Sequence, residues 1–189
     1  MSVESAPAAG GHNSIRVEIA SSVEQLVQVF ALRATTFWEE NSYPYDLAFD
    51  KNDFQATHFI TYMGDEPIGA VRVRWFKDFA KLERTAFRTA YRNIPTIKIL
   101  ADFVFAHVAR KGYTQVTTHA APLYARLWRT HFGFRAVNKA PAVYQGEKFV
   151  ELIRQLDAPA NVVDLRSDVT VLFRTERSWD APGKYEAAG

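Results

Sequence analysis

The chain has 189 residues, 48% of them hydrophobic and 14% aromatic, which is enough to fill the core of one domain and too apolar for a disordered or fibrous protein. With 23 Lys and Arg against 21 Asp and Glu, the formal charge of +2 does not argue for nucleic acid by bulk electrostatics, although local basic clusters could recruit an acidic partner. The absence of cysteine excludes disulfides, thiolate nucleophiles and Cys-ligated metals, and is compatible with a cytoplasmic protein.

Residues 1–13 are rich in Ala, Gly and Ser, with no basic start and no apolar run. They read as a disordered tail, neither a signal peptide nor a membrane span. Ile15 to Ile19 alternates apolar and polar residues as a short strand does. Ser22 with Gln25 then gives a capping-box start to a helix whose Val23, Leu26, Val27, Phe30, Ala31, Ala34, Phe37 and Trp38 fall at helical spacing. A turn-rich stretch from Asn41 to Asp53 precedes a hairpin, with strands His58 to Met63 and Ile68 to Trp75 joined through Gly64-Asp65-Glu66-Pro67. Lys81 to Phe87 predicts the next strand. A helix over Thr96 to Arg110 follows, with Gly112 as its C-cap, then a strand over Gln115 to His119. Pro122 suits the first position of a helix running to His131. Two strands, Phe134 to Val137 and Phe149 to Leu156, close the core, and a candidate strand Val169 to Arg174 lies beyond it. His58, His107, His119 and His131 have no paired spacing such as His-x-x-x-His, so no metal site is assigned.

This order predicts an α/β (α+β) domain, a mixed and mostly antiparallel sheet with helices on both faces. It covers residues 14–156, and residues 157–189 form an extension packed on the domain or trailing from it. In order, it resembles the Gcn5-related N-acetyltransferase fold. Lys81 to Phe134 carries that resemblance, from the strand Lys81-Leu82-Glu83-Arg84-Thr85-Ala86-Phe87 through Tyr91-Arg92 to His131-Phe132-Gly133-Phe134. The superfamily's pyrophosphate turn reads Arg-x-x-Gly-x-Gly or Ala, with bare backbone amides at a helix N-terminus. Here the same place reads Arg92-Asn93-Ile94-Pro95-Thr96-Ile97, with neither glycine.

The N-terminal half is similar to the acyl-homoserine-lactone synthases and N-acyl amino acid synthases. Leu32-Arg33-x-x-x-Phe37, Asp50-x-x-Asp53 followed by His58, Gly69-x-x-Arg72 and Tyr144-x-Gly146-Glu147 carry this likeness. The chain departs from the lactone synthases in two places. Tyr43 or Trp38 stands where they have a Trp, and their Glu-x-x-Arg appears as adjacent Glu83-Arg84.

The resemblance implies an N-acyltransferase that moves an acyl group from a pantetheine thioester, acyl-CoA or acyl carrier protein, to a small amine or amino-acid-like acceptor, with no permanently bound cofactor. The alternative is a catalytically silent member of the fold that binds a thioester or a protein partner without turnover. Acyl transfer to an amine needs a base, an oxyanion donor and an acid for the departing thiolate. Glu83 is a candidate base if burial raises its pKa, and otherwise an ion-pair partner of Arg84 or Arg72. A backbone N–H near Ala86 or Phe87 is the simplest oxyanion donor. Tyr124, on the helix before Gly133-Phe134, is the candidate acid, although Tyr124, Trp128 and Phe132 equally suit a packed face. His119 is the substitute, as acid or base. Phe87, Arg92, Asn93, Ile94, Thr96 and Ile97 are expected at the donor. Arg33, Phe37, Asp50, Asp53, Arg72 and Arg84 are expected at the acceptor, where the aspartates would meet a cationic amine and Arg33 a carboxylate unless it pairs with them. Arg88, Arg92, Lys98, Arg126 and Arg129 could form a patch for the acidic helix of a carrier protein.

Overall fold

The computed structural model describes residues 14–144, 146–183 and 186, and the tail expected at residues 1–13 lies outside them. Eight strands form one open sheet: β1 Ile15–Ile19, β2 Thr57–Met63, β3 Glu66–Trp75, β4 Ala80–Phe87, β5 Gln115–Ala120, β6 Arg135–Ala136, β7 Ala142–Tyr144 and β8 Glu147–Gln155. The order is β1-β2-β3-β4-β5-β8-β6, with β7 also paired to β8. All pairs are antiparallel except β4 with β5. That parallel pair is joined through helix α3, Ile94–Arg110, as a crossover connection requires.

Side-chain alternation divides the sheet into two faces. Val71, Val73, Leu82, Val116 and Leu152 pack with Leu100 and Val104 of α3 and with Ala125 and Trp128 of α4, Pro122–His131. Leu82, Leu100 and Leu152 are at most 2% exposed, so each contributes roughly 1.5–3 kcal/mol through burial. The opposite face sets Ile60, Tyr62 and Ala70 against Val29 and Leu32 of α1, Val23–Arg33. By register, His58, Arg72 and Glu83 are mutual neighbours on this α1 face. Lys81 pairs Thr117, two residues before His119, so Lys81 and His119 share that face too.

Ser22 caps α1 as expected, with Gln25 N–H donating to Ser22 Oγ at 3.2 Å, but Gln25 Oε1 reaches one residue further back and accepts from Ser21 N–H at 2.8 Å. The helix does not stay regular to Trp38. After Arg33 it widens into a π-helical stretch, Ala34–Glu40. There the Thr35 hydroxyl donates to the Ala31 carbonyl at 3.1 Å, so a side chain competes for the backbone ladder. The turn-rich segment after it contains a short helix α2, Tyr45–Ala48, and a 3₁₀ turn, Lys51–Gln55.

The C-terminal extension packs back on α3 and β1. Val163 N–H donates to the Arg110 carbonyl at 2.8 Å, Trp179 stacks on His107 at 5.2 Å, Arg110 pairs Asp180 at 2.6 Å, and Arg177 pairs Glu18 at 2.8 Å. The strand expected at Val169 to Arg174 is instead a helical turn, α5 Val169–Phe173, with Thr170 N–H donating to its cap Asp168. The sheet ends at β1 and β6, and this stretch pairs with neither edge. No helix among the described residues is long and apolar enough to cross a membrane.

Candidate active site

The two parallel strands touch only at their beginnings. β4 pairs β5 at Ala80–Val116 and Lys81–Thr117 and nowhere further on, so Leu82 to Phe87 diverges from Thr118 to Ala120 and a cleft opens between them. A bulge shapes its β4 wall. Ala70 faces Ala86, but Arg72 faces Glu83, which places one extra residue in β4. Arg84 absorbs it with φ of 56°, a left-handed conformation disfavoured for a side chain of this size.

The bulge also sets which backbone groups face the cleft. Arg88 N–H donates to Ile68 O at 2.9 Å, so by the alternation of an antiparallel ladder the N–H and C=O of Phe87 point away from β3, toward the side β5 has left. The Phe87 carbonyl accordingly accepts from Arg92 Nη2 at 2.6 Å and from Thr36 Oγ1 at 3.4 Å. Phe87's ring is core, 2% exposed, and packs directly against Gly69. This accounts for the glycine of Gly69-x-x-Arg72, since a Cβ there would collide with the ring.

Beside the bulge lies a charged cluster in two layers. Arg33, Arg72 and Asp53 form its floor, with side chains 0%, 1% and 7% exposed. Arg33 Nη1 lies 2.5 Å from Asp53 Oδ1, and Arg33 also donates to the Ala48 carbonyl. Arg72 reaches Asp53 at 2.7 Å, Asp50 at 2.6 and 2.9 Å, and Glu83 at 2.6 and 3.2 Å. His58 donates Nε2–H to the Asp53 carbonyl at 2.9 Å, and burial holds its pKa below the ordinary value. Asp50, Glu83, Arg84, Lys81 and Arg74 form the upper layer, which is largely buried but reaches solvent.

This arrangement corrects three expectations. Arg33 and Asp53 are sealed in the floor and meet each other, so neither offers a substrate contact. Asp50 is held by Arg72 and by Arg84 at 3.2 Å, so it is neutralised rather than waiting for a cation. Glu83 is not raised toward neutrality. Burial pushes its pKa up, but Lys81 at 2.8 Å and Arg72 outweigh burial and leave it below the ordinary carboxylate value. Glu83 is therefore an ion-pair carboxylate.

Across the cleft, His119 is exposed on the α1 face of β5. Desolvation and the charge of Lys81 lower its pKa, so its imidazole is neutral at pH 7. Tyr124 on α4 is 45% exposed and within electrostatic range of Tyr43, so it is not part of the Trp128–Phe132 core. Tyr43, which residue patterning alone did not single out for chemistry, stacks on Phe37 at 6.1 Å. Burial, Tyr124 and Glu147 raise its pKa, while nearby Arg84 opposes them.

The donor side is closed. Asn93 caps α3 by accepting from Thr96 N–H at 3.0 Å, and its own N–H donates to Tyr91 O. Pro95 has no N–H, and the Ile97 N–H donates to Asn93 O. Of the first turn only the Ile94 N–H stays available. Thr96 and Ile97 are buried, and Arg92 pairs Glu40 at 2.5 Å, tying the end of β4 to the π-helical stretch. Those side chains are structural in this geometry.

Of the basic residues expected to form one patch, Arg88 pairs Glu66, Arg92 pairs Glu40 and Lys98 pairs Asp102. Arg126 and Arg129 have no acidic partner among the described residues. With Arg135, Thr130 and Phe134 they line a concavity between α4 and β6.

No family model matches the chain. It is 23% identical over 140 residues, 74% of this chain and 99% of the relative, to YjcF of Bacillus subtilis (strain 168), an uncharacterised N-acetyltransferase. A Lactobacillus plantarum protein provisionally named an N-acetyltransferase superposes with a TM-score of 0.70 at 24% identity, covering 76% of this chain and 99% of that one. FeeM, an N-acyl amino acid synthase from uncultured soil microbes, superposes with a TM-score of 0.62 at 15% identity, covering 78% and 92%. The chain has the fold of the Gcn5-related N-acetyltransferases.

Proposed function

We propose that this protein is an N-acyltransferase that takes an acyl group from a pantetheine thioester and gives it to a small amine or amino-acid-like acceptor. The observation that carries this reading is the divergence of β4 and β5 after Lys81 and Thr117, with the bulge at Arg84 on one wall. Such a gap admits an extended thioester arm alongside β4, where the Phe87 N–H would meet the oxygen of the tetrahedral intermediate. His119, neutral and on the acceptor-facing side, is the base that takes a proton from the ammonium. Tyr124 is the acid for the leaving thiolate, and Tyr43, whose pKa is raised, is the alternative donor. The names of the relatives support a transferase, and the likeness to FeeM supports an amino-acid-like acceptor.

The closed N-terminus of α3 bears on the donor. A pyrophosphate finds the Ile94 N–H and little else, which disfavours CoA. An acyl carrier protein presents one phosphodiester and an acidic surface, and the unpaired Arg126 and Arg129 with Arg135 suit that surface. The same closure favours a second reading, a silent member of the fold that does not turn over a thioester. Incubating the protein with a panel of acyl thioesters and amines separates the two. Transfer releases free thiol only when the amine is present, whereas a silent binder protects the thioester and releases none.

A further inference from the structure

The charged cluster beside the bulge does not balance. It holds five cations, Arg33, Arg72, Arg74, Lys81 and Arg84, against three carboxylates, Asp50, Asp53 and Glu83. His58 adds no charge, because burial keeps it neutral. Two positive charges are therefore left over in a site that is mostly closed to solvent, where an unpaired charge is costly.

The excess falls on Arg74 and Arg84, and of the two Arg84 is the less well partnered. Arg33 is held bidentately by Asp53 in the floor and Arg72 by Asp50 above it, and Lys81 lies 2.8 Å from Glu83. Arg74 lies over the Phe76 ring at 5.0 Å and 3.7 Å from Glu83. Arg84 has one contact, Nη2 to Asp50 Oδ2 at 3.2 Å, and that carboxylate already receives both terminal nitrogens of Arg72. Its Nε is buried without a partner. A guanidinium offers five N–H donors in a planar fork, and here most of that fork is unused. The strained backbone at φ of 56° fixes this side chain on the cleft wall, with Tyr43 in range of its charge. Arg33 Nε in the floor is also without a partner, but Arg84 alone in the cluster joins an unpaired donor to a strained backbone and reaches solvent, and that combination marks a position held for a ligand.

We propose that Arg84 binds the carboxylate of the acceptor, so that the acceptor is an amino acid rather than a simple amine. This rests on the N-acyltransferase reading and narrows its acceptor class. The carboxylate engages terminal N–H donors of the guanidinium that Asp50 does not use and offsets part of the charge excess. It is also the ligand class that a planar fork holds bidentately. Asp50 takes no part in amine recognition. It orients Arg84 from the side opposite the ligand.

The test compares phenylalanine with phenethylamine, which differ only by the carboxylate, as acceptors for one acyl thioester. The native protein should prefer phenylalanine in kcat/KM by about tenfold or more, the usual scale of a charge-assisted pair. Arg84→Gln should bring that ratio near one, and Arg84→Lys should keep part of it, with thermal unfolding confirming that both variants fold. Equal kcat/KM for the two acceptors, or an unchanged ratio in Arg84→Gln, overturns the proposal. If neither acceptor turns over, the transferase reading fails separately and equilibrium binding decides. Phenylalanine should then perturb tyrosine fluorescence in the native protein and not in Arg84→Gln, and the absence of a difference overturns the proposal.

Discussion

Arg72 and Glu83 stand opposite each other on β3 and β4, with Nη2 of the arginine 2.6 Å from Oε2 of the glutamate. Arg72 is 1% exposed and holds two further carboxylates, so this contact belongs to a network rather than to a titrating base. Glu83→Gln should accordingly lower stability by about 1.5–3 kcal/mol, the scale of a hydrogen bond to a charged group, and leave turnover within about tenfold. Thermal unfolding and steady-state kinetics on the same preparation check this. An unchanged melting temperature with a loss of about 100-fold in rate would restore Glu83 as the base.

The pH dependence of catalysis should report His119. Its folded pKa lies below 6.5 because of desolvation and Lys81, and the base works as neutral imidazole. The acid limb of kcat/KM should therefore fall below pH 6.5, with a plateau through neutral pH. His119→Asn should remove the limb and most of the rate. A limb that survives in the variant belongs to another group.

Stability should weaken with acid in two stages. His58 is buried with a lowered pKa, so the unfolded chain binds its proton more readily and stability falls as the pH drops below 6.5. Glu83 and Asp50 have depressed folded pKa values. Their contribution is present above the ordinary values of 4.5 and 3.8 and is lost as pH falls below them toward the folded values. Glu176, held at about 2 chiefly by its hydrogen bond to His107, adds to the second stage and clamps the C-terminal extension. Urea unfolding at a series of pH values should show both slopes. Flat stability between pH 7 and 4 would contradict the buried network.

Gly69→Ala should destabilise the fold by about 1–3 kcal/mol, because the new methyl group meets the Phe87 ring in a filled core. Adding Phe87→Leu should recover part of the loss, since a smaller side chain frees the space above residue 69. An alanine variant as stable as the parent would mean that the ring can move aside.

The salt dependence of donor choice tests the surface of α4. An acyl carrier protein should outperform the same acyl-CoA at low ionic strength, and the advantage should shrink as salt screens Arg126, Arg129 and Arg135. A CoA donor that performs equally well at both ionic strengths would assign those arginines to ordinary surface charge.

Much of the fold was legible because local signals agreed. Ser22 with Gln25 marks the start of α1, Gly64-Asp65 turns the hairpin, and apolar residues at helical spacing define α3. The π-helical widening after Arg33 was hidden, since Phe37 and Trp38 fit a regular helical face as well. Val169 to Arg174 is a candidate strand in isolation but pairs with neither sheet edge and forms a helical turn capped by Asp168, and that is a tertiary fact. The six acceptor-side residues divide in an instructive way. Arg33, Asp50, Asp53, Arg72 and Arg84 do converge, whereas Phe37 stands apart from their hydrogen bonds and stacks on Tyr43. Their roles depend on pairing, and the spacing of charges along the chain does not say which guanidinium is left without a carboxylate. The bulge at Arg84 depends on the register between two strands and leaves no mark in β4's own sequence.

The central claim is transfer of an acyl group to nitrogen within the β4–β5 cleft. The most direct measurement incubates the protein with an acyl thioester and an amino acid, and quantifies free thiol and N-acyl product in the same sample by mass spectrometry. The account predicts one amide per thiol released, with both falling together in His119→Asn. Thiol release without amide, or neither product from carrier-bound and CoA-bound donors alike, would contradict it.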